Sequence, residues 1–234
     1  MNNNLESDKK VSGYFPEFCH RAFDKEEYAK QFLDYGIFRI GCIFVYRHIE
    51  CESRRDQTEG YGHTKEPGIV TTGWVSPNPT KRTIWERKQG YQEHHIESGN
   101  AFYLFCMSEP PVNLDQMRKN FGKHIVKINN PRIFAEDIYN YFVSIGQDLL
   151  IYGCKVMYNK GQKLDRELEK NERLDLPFKQ KPNSFKTDCE FRFVAIKLKE
   201  LCNQECKYLD GEKDLECQYI QIKLDKRLDY AHLI

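Results

Sequence analysis

The sequence predicts an α+β fold in one domain spanning 1–234, and three observations lead there. Segments with the marks of strands outnumber those with the marks of helices, and the strands lie mostly after the first helix. A regular strand–helix alternation, the sign of a doubly wound parallel sheet, is absent. No internal repeat, low-complexity tract or linker divides the 234 residues, a length that suits a single domain. Hydrophobic residues make up 40% and charged residues 30%, with 13% aromatic, a balance able to bury a core and unlike that of a disordered chain.

The core is expected over about 14–224. Residues 24–35 open it with an Asp24 N-cap; Tyr28, Phe32 and Tyr35 recur at helical spacing, and Gly36 supplies a stop. Residues 37–46 are rich in β-branched and aromatic side chains and read as a buried strand. From Glu50 to Gly60 the chain turns highly charged, and the segment 48–100, with Gly60, Gly62, Pro67, Gly68, Pro77 and Pro79, reads as a long loop-rich insertion. Residues 101–107 form a second buried strand, closed by Ser108 and the Pro110-Pro111 pair, and 125–128 a short third. Ile133, Phe134, Ile138, Tyr141, Phe142 and Ile145 give 131–145 the period of a helix that ends at Gly146. Residues 149–158, 191–196 and 217–224 are further strands, and 159–184 is a polar excursion.

Composition excludes several classes of function. Lys and Arg number 36 against 35 Asp and Glu, a formal charge of +1, so the large basic excess of a nucleic-acid wrapper is missing, though a local basic groove remains open. No run approaches the roughly 18 apolar residues of a membrane span. The first residues, Met1 to Lys10, are polar and lack the apolar stretch of a signal peptide, so a cytoplasmic protein is expected. The nine cysteines are odd in number and scattered, which predicts free thiols over a disulfide framework. Cys202 and Cys206, with Cys217 and His232, form the one cluster with a metal-like spacing; zinc sites usually need a second tight pair, and no metal is expected. No phosphate loop or dinucleotide glycine fingerprint is present, because Gly60-x-Gly62 is followed by neither a third glycine nor a helix.

Chemistry-bearing residues gather in three places. Tyr46 and Arg47 stand at the mouth of the 37–46 strand, followed by Arg54, Arg55, Asp56 and Glu59; arginine there suits bidentate grip of a phosphate or carboxylate. The alternative is a solvated loop of self-neutralising ion pairs. Ser108 ends a strand, as an oriented hydroxyl or as a cap for the prolines behind it. Asp188, Glu190 and Arg192 alternate at period two, with Cys189, Phe191 and Phe193 expected in the core. Such a row serves either as the solvated face of an edge strand or as a site, where arginine keeps a carboxylate ionised.

In chain order, Arg47, Ser108 and Glu190 stand on three strands, and this order resembles the Arg–Ser–Glu arrangement of the ADP-ribosyltransferase superfamily. Gly36-Ile-Phe-Arg-Ile-Gly41, Tyr46-Arg-His-Ile-Glu50, Arg54-Arg-Asp-x-x-Glu59-Gly60, Phe105-Cys-Met-Ser108 and Phe185-Lys-x-Asp-x-Glu-x-Arg192 are similar to segments of bacterial toxin–antitoxin and phage-defence members, over about residues 14–196. The chain departs from better-known members in lacking a Ser-Thr-Ser triplet, and Asp188 stands where arginine-specific enzymes carry a second Glu.

The resemblance implies a split, mostly antiparallel mixed sheet that binds NAD without a Rossmann fingerprint. Under it, Arg47 holds NAD phosphates or ribose with help from Tyr46, Arg54 and Arg192. Ser108 orients the ribose, and Glu190 stabilises the cationic sugar as nicotinamide leaves. Trp74, Trp85, Arg82 and Arg87 of the 48–100 segment would then meet the acceptor, nucleic acid or protein, by stacking and charge. Such a toxin implies an antitoxin or chaperone partner. Two other readings stand beside it. One is a non-enzymatic module using the arginine-rich loop to bind a phosphate-bearing ligand or a protein. The other is a nuclease holding magnesium on Asp56, Glu59, Asp188 and Glu190.

Overall fold

The computed structural model describes residues 10–43, 59, 61–74, 84–97, 102–197 and 219–234. Its elements in chain order are β1 (Val11–Gly13), β2 (Cys19–Phe23), α1 (Glu26–Tyr35), β3 (Ile37–Cys42), β4 (Tyr61–Trp74), β5 (Ile84–Glu97), β6 (Phe102–Ser108), α2 (Leu114–Phe121), β7 (His124–Ile128), α3 (Pro131–Ser144), β8 (Leu149–Lys155), α4 (Lys170–Lys179), a 3-10 helix (Asn183–Asp188), β9 (Glu190–Lys197), β10 (Tyr219–Lys223) and β11 (Ala231–Leu233). The α+β class is as expected. Among the described residues, no helix is long and apolar enough to cross a membrane.

Among the described residues, nine strands form one mixed sheet, in the order β1-β8-β9-β6-β2-β7-β11, with β3 also on β6 and β10 on β3. The β1–β8 pair is parallel and the other pairs of this sheet are antiparallel. β6 holds the sheet together and also divides it. One of its edges pairs with β9 throughout, Phe102 with Ile196 to Ser108 with Glu190. The other edge is shared: β3 takes Tyr103 and Leu104 at the start, and His20 of β2 takes Ser108 at the end. The Cys106 carbonyl lies between those two partners and accepts a hydrogen bond from the Arg21 guanidinium, which also lies 4.8 Å from the Phe105 ring centroid. A side chain thus does for this carbonyl what a strand would otherwise do.

Helix α1 stops at Gly36, whose φ of 60° is left-handed and whose N–H closes the last turn on the Phe32 carbonyl. A Cβ there would also lie 2.7 Å from Leu224, so glycine is required for both backbone and space. The buried face differs from the expected one. Tyr28 and Tyr35 are 46% and 56% exposed, and Ala29 with Phe32 faces the core. The cap differs too, because the helix begins after Lys25 with no side-chain cap.

Helices α1 and α3 cover the sheet through a continuous aromatic cluster. Phe134 lies at its centre, with ring centroids 5.6 Å from Phe32, 5.2 Å from Phe38 and 5.3 Å from Phe193. Because Phe134 is fully buried between elements distant in sequence, Phe134→Ala is expected to cost about 3–5 kcal/mol. Urea denaturation at unchanged m-value measures it.

Two expectations need correction. The segment 48–100 contains a long antiparallel ribbon, β4 with β5, paired from Tyr61 with Glu97 to Trp74 with Ile84. Its glycines and Pro67 read as loop signals, but Pro67 stands two residues after Lys65, whose N–H and C=O pair with Gln162 and Leu164 on the side away from β5, so the missing N–H of Pro67 is on the side that β5 does not use. The segment 159–184 contains α4 and the start of the 3-10 helix, with Leu176 and Phe178 buried. Strands β1, β2 and β11 and helix α2 have no counterpart among the sequence expectations.

Candidate functional site at the divided edge of β6

Three neighbouring strands bring the chemistry together. Ser108 faces Glu190 across β6–β9 and His20 across β6–β2. These residues, with Arg21, Lys181 and Asp188, line a cavity of about 140 Å³ whose apolar wall includes Met117 and Phe121 of α2. Its volume is comparable to an engineered cavity that admits one aromatic ring.

Glu190 is 5% exposed and doubly paired. Its Oε1 accepts from Arg192 Nε at 2.6 Å, and its Oε2 lies 2.6 Å from Lys181 Nζ. Arg192 is fully buried and donates further to both Glu59 carboxylate oxygens, each at 2.8 Å, and to the Phe178 carbonyl at 2.8 Å. Burial alone pushes the Glu190 carboxyl up, but the attraction of Arg192 and Lys181 outweighs it and holds the group well below the usual carboxylate range. Burial likewise pulls the Lys181 ammonium down, and the charges of Glu190 and Glu59 overcome this and raise it to about 12. Both groups are therefore ionised at neutral pH.

Asp188 behaves oppositely. It is 9% exposed, ends the 3-10 helix and accepts no hydrogen bond from the described residues. Burial raises its carboxyl to about 6, against the pull of Lys181 and with the help of the Glu190 charge. His20 is 5% exposed; among the described residues its Nδ1 has no hydrogen-bond partner. Burial, then Lys127 and His232, lower its pKa, which keeps the imidazole neutral. The site therefore holds one fixed anion, two cations in Lys181 and the Arg21 guanidinium, one carboxyl ready to exchange a proton and a neutral imidazole.

Between Asp188 and Glu190 the backbone of Cys189 is left-handed, with φ 45° and ψ 49°. The period-two row is therefore not one strand. Glu190 and Arg192 share a face of β9, whereas Asp188 reaches the same cavity from the preceding turn. The edge-strand alternative is excluded, because β9 runs between β6 and β8 and both its faces are buried.

The structure treats the other expected site residues unequally. Tyr46, Arg47, Arg54 and Arg82 lie outside the described residues, as do Asp56, Cys202, Cys206 and Cys217. Strand β3 ends beside Tyr103, at the end of β6 away from Ser108. Among the described residues, the arginine that lines the cavity with Ser108 and Glu190 is Arg21. Trp74, Trp85 and Arg87 belong to β4 and β5 toward the Trp74–Ile84 end, about 40 Å along the ribbon from Tyr61 at 3.3 Å per residue. Arg192, expected to touch the cofactor, is fully buried, donates to Glu190 and is not among the residues lining the cavity. Among the described residues no group of three His, Cys, Asp or Glu is placed to hold a metal; Asp56, one of the four residues of the nuclease reading, lies outside them. The described cysteines, Cys19, Cys42, Cys106, Cys154 and Cys189, are free thiols.

The residues missed were His20, Arg21 and Lys181. His20 and Arg21 carry one local signal, a basic pair between Phe18-Cys19 and Ala22-Phe23 that interrupts an apolar run, and Lys181 carries none.

Comparisons with protein-family models, with curated proteins and with solved structures return no match for this chain.

Proposed function

We propose that this protein is an ADP-ribosyltransferase-like enzyme that cleaves the bond between nicotinamide and ribose in NAD and transfers ADP-ribose to a macromolecular acceptor. The observation that carries the reading is the pair of carboxylates on one cavity, with Glu190 held ionised and Asp188 able to take up a proton near pH 6. Two carboxyl groups whose environments separate their pKa values are the equipment for substitution at a sugar's anomeric carbon.

The C1′–N bond breaks and its electron pair leaves with nicotinamide, which departs neutral. The ribose becomes oxocarbenium-like, and the Glu190 anion stabilises that charge at low dielectric. An acceptor O–H or N–H attacks C1′, and its proton passes to the Asp188 carboxylate. Ser108 and His20 orient the ribose hydroxyls, and Arg21 offers its guanidinium to a phosphate, the task first expected of Arg47. A host-directed transferase of this kind fits a toxin–antitoxin or phage-defence role, with an antitoxin as its partner and nucleic acid or protein as its acceptor.

The test is label transfer from adenine-labelled NAD to RNA, DNA and protein, with nicotinamide release followed in parallel and growth inhibition on expression scored. Wild type is expected to release nicotinamide and label one acceptor class. Glu190→Gln, checked for folding, is expected to lose both with the growth inhibition. Wild type leaving NAD intact with every acceptor would overturn the enzyme and favour the non-enzymatic phosphate-binding module. Such a module gains nothing from two carboxylates beside its ligand.

A further inference from the structure

The charged motif Arg54-Arg-Asp-x-x-Glu59-Gly60 has no part in the chemistry above, yet one of its members is among the most buried charges described. Glu59 is 1% exposed, and both its carboxylate oxygens are engaged by the Arg192 fork. That fork also reaches the Phe178 carbonyl, while its Nε holds Glu190. Lys181 completes the set, 2.6 Å from Glu190 and 4.0 Å from Glu59. Glu59 does not line the cavity.

We infer that Glu59 is a positioning residue: its bidentate clamp fixes the plane of the Arg192 guanidinium, and through Nε the orientation of the Glu190 carboxylate at the cavity. The inference rests on the proposed transferase activity, and it assigns a task to a segment distant in sequence from β9. The physical reason is that a guanidinium has a rigid planar fork. With Nη1 and Nη2 anchored on one carboxylate, Nε can point in one direction only. Without that anchor the fork turns about its own side chain, and Glu190 follows it. A neutral amide offers one acceptor oxygen and no charge, so Gln cannot replace the clamp.

The experiment is a kinetic cycle on the full chain with Glu59→Gln, Arg192→Lys and the double variant, each normalised to its folded fraction. Glu59→Gln is expected to lower kcat for nicotinamide release about 10- to 100-fold, with KM for NAD within about twofold, because Glu59 lies off the cavity. The double variant is expected to be no slower than Arg192→Lys, since both changes break one path. Unchanged kcat per folded molecule in Glu59→Gln, or multiplying losses in the double variant, would overturn the inference. A second readout needs no turnover, so that failure of the transferase reading is told apart. With carboxyl-¹³C glutamate, the Glu190 carboxyl resonance is expected to move on Glu59→Gln. An unmoved resonance would overturn the clamp whether or not NAD is a substrate.

Discussion

Arg192→Met is expected to be among the most destabilising single changes in this chain, at about 3–5 kcal/mol. The substitution loses little volume, so the cost is electrostatic. Glu59 and Glu190, 1% and 5% exposed, lose their shared cation, and Lys181 alone cannot serve both. The Phe178 carbonyl also loses its donor from Arg192. Paired buried ions gain little over well-packed apolar side chains, whereas a half-removed pair is costly. The companion change follows from the same balance. Adding Glu59→Gln to Arg192→Met leaves Lys181 opposite Glu190, one charge each, and is expected to recover a large part of the loss. Chemical denaturation of wild type, both singles and the double gives the cycle. Additive losses would show that the four groups do not act as a network.

Asp188→Asn is expected to reduce turnover of NAD by about 10²–10⁴-fold, the usual worth of a positioned proton acceptor. The same change is expected to make the protein more stable at neutral pH. A carboxyl held near 6 against an ordinary 3.8 has a folded pKa above its unfolded one, so the native state binds its proton more tightly. Its favourable contribution is complete below about pH 4 and is lost as pH rises through about 6. Above that range wild type must bury a charge that Asn does not carry. Two pKa units amount to about 3 kcal/mol, and partial solvent screening reduces the expected gain to roughly 1–2 kcal/mol. Thermal melts at pH 4.0 and 7.5 check it: the stability difference between wild type and Asp188→Asn should be small at the first and clear at the second. In wild type, kcat for transfer is expected to rise with pH through an apparent pKa near 6. A variant that is both dead and no more stable at pH 7.5 would mean that Asp188 is held by its surroundings for structure.

Much of the fold is legible locally. The alternation of Phe191 and Phe193 with polar neighbours marks β9, the aliphatic and aromatic run from Ile37 marks β3, and Pro131 with Ile138 and Phe142 marks α3. These patterns survive because burying one face of a strand or helix writes its own period into the chain. The errors have equally local causes. The ribbon β4–β5 carries several glycines and a proline whose missing N–H is on the side that β5 does not use, and β2 is a short strand interrupted by His20 and Arg21. On α1 the tyrosines at helical spacing are on the exposed side, because small Ala29 lets the helix approach where Tyr28 could not.

By itself the sequence determined the class of fold, the strand that ends in Ser108, and the acid–acid–base row of Asp188, Glu190 and Arg192. Only the tertiary structure decided what those groups are. Pairing of β6 with both β9 and β2 makes neighbours of Glu190, Ser108, His20 and Arg21, and Glu59 and Lys181 arrive from two other segments to set the charges. The physical reason is that ionisation depends on burial and on the distance to other charges through space. Two carboxyls two positions apart in the chain therefore come to opposite states, Glu190 because two cations reach it and Asp188 because burial outweighs the pull of Lys181.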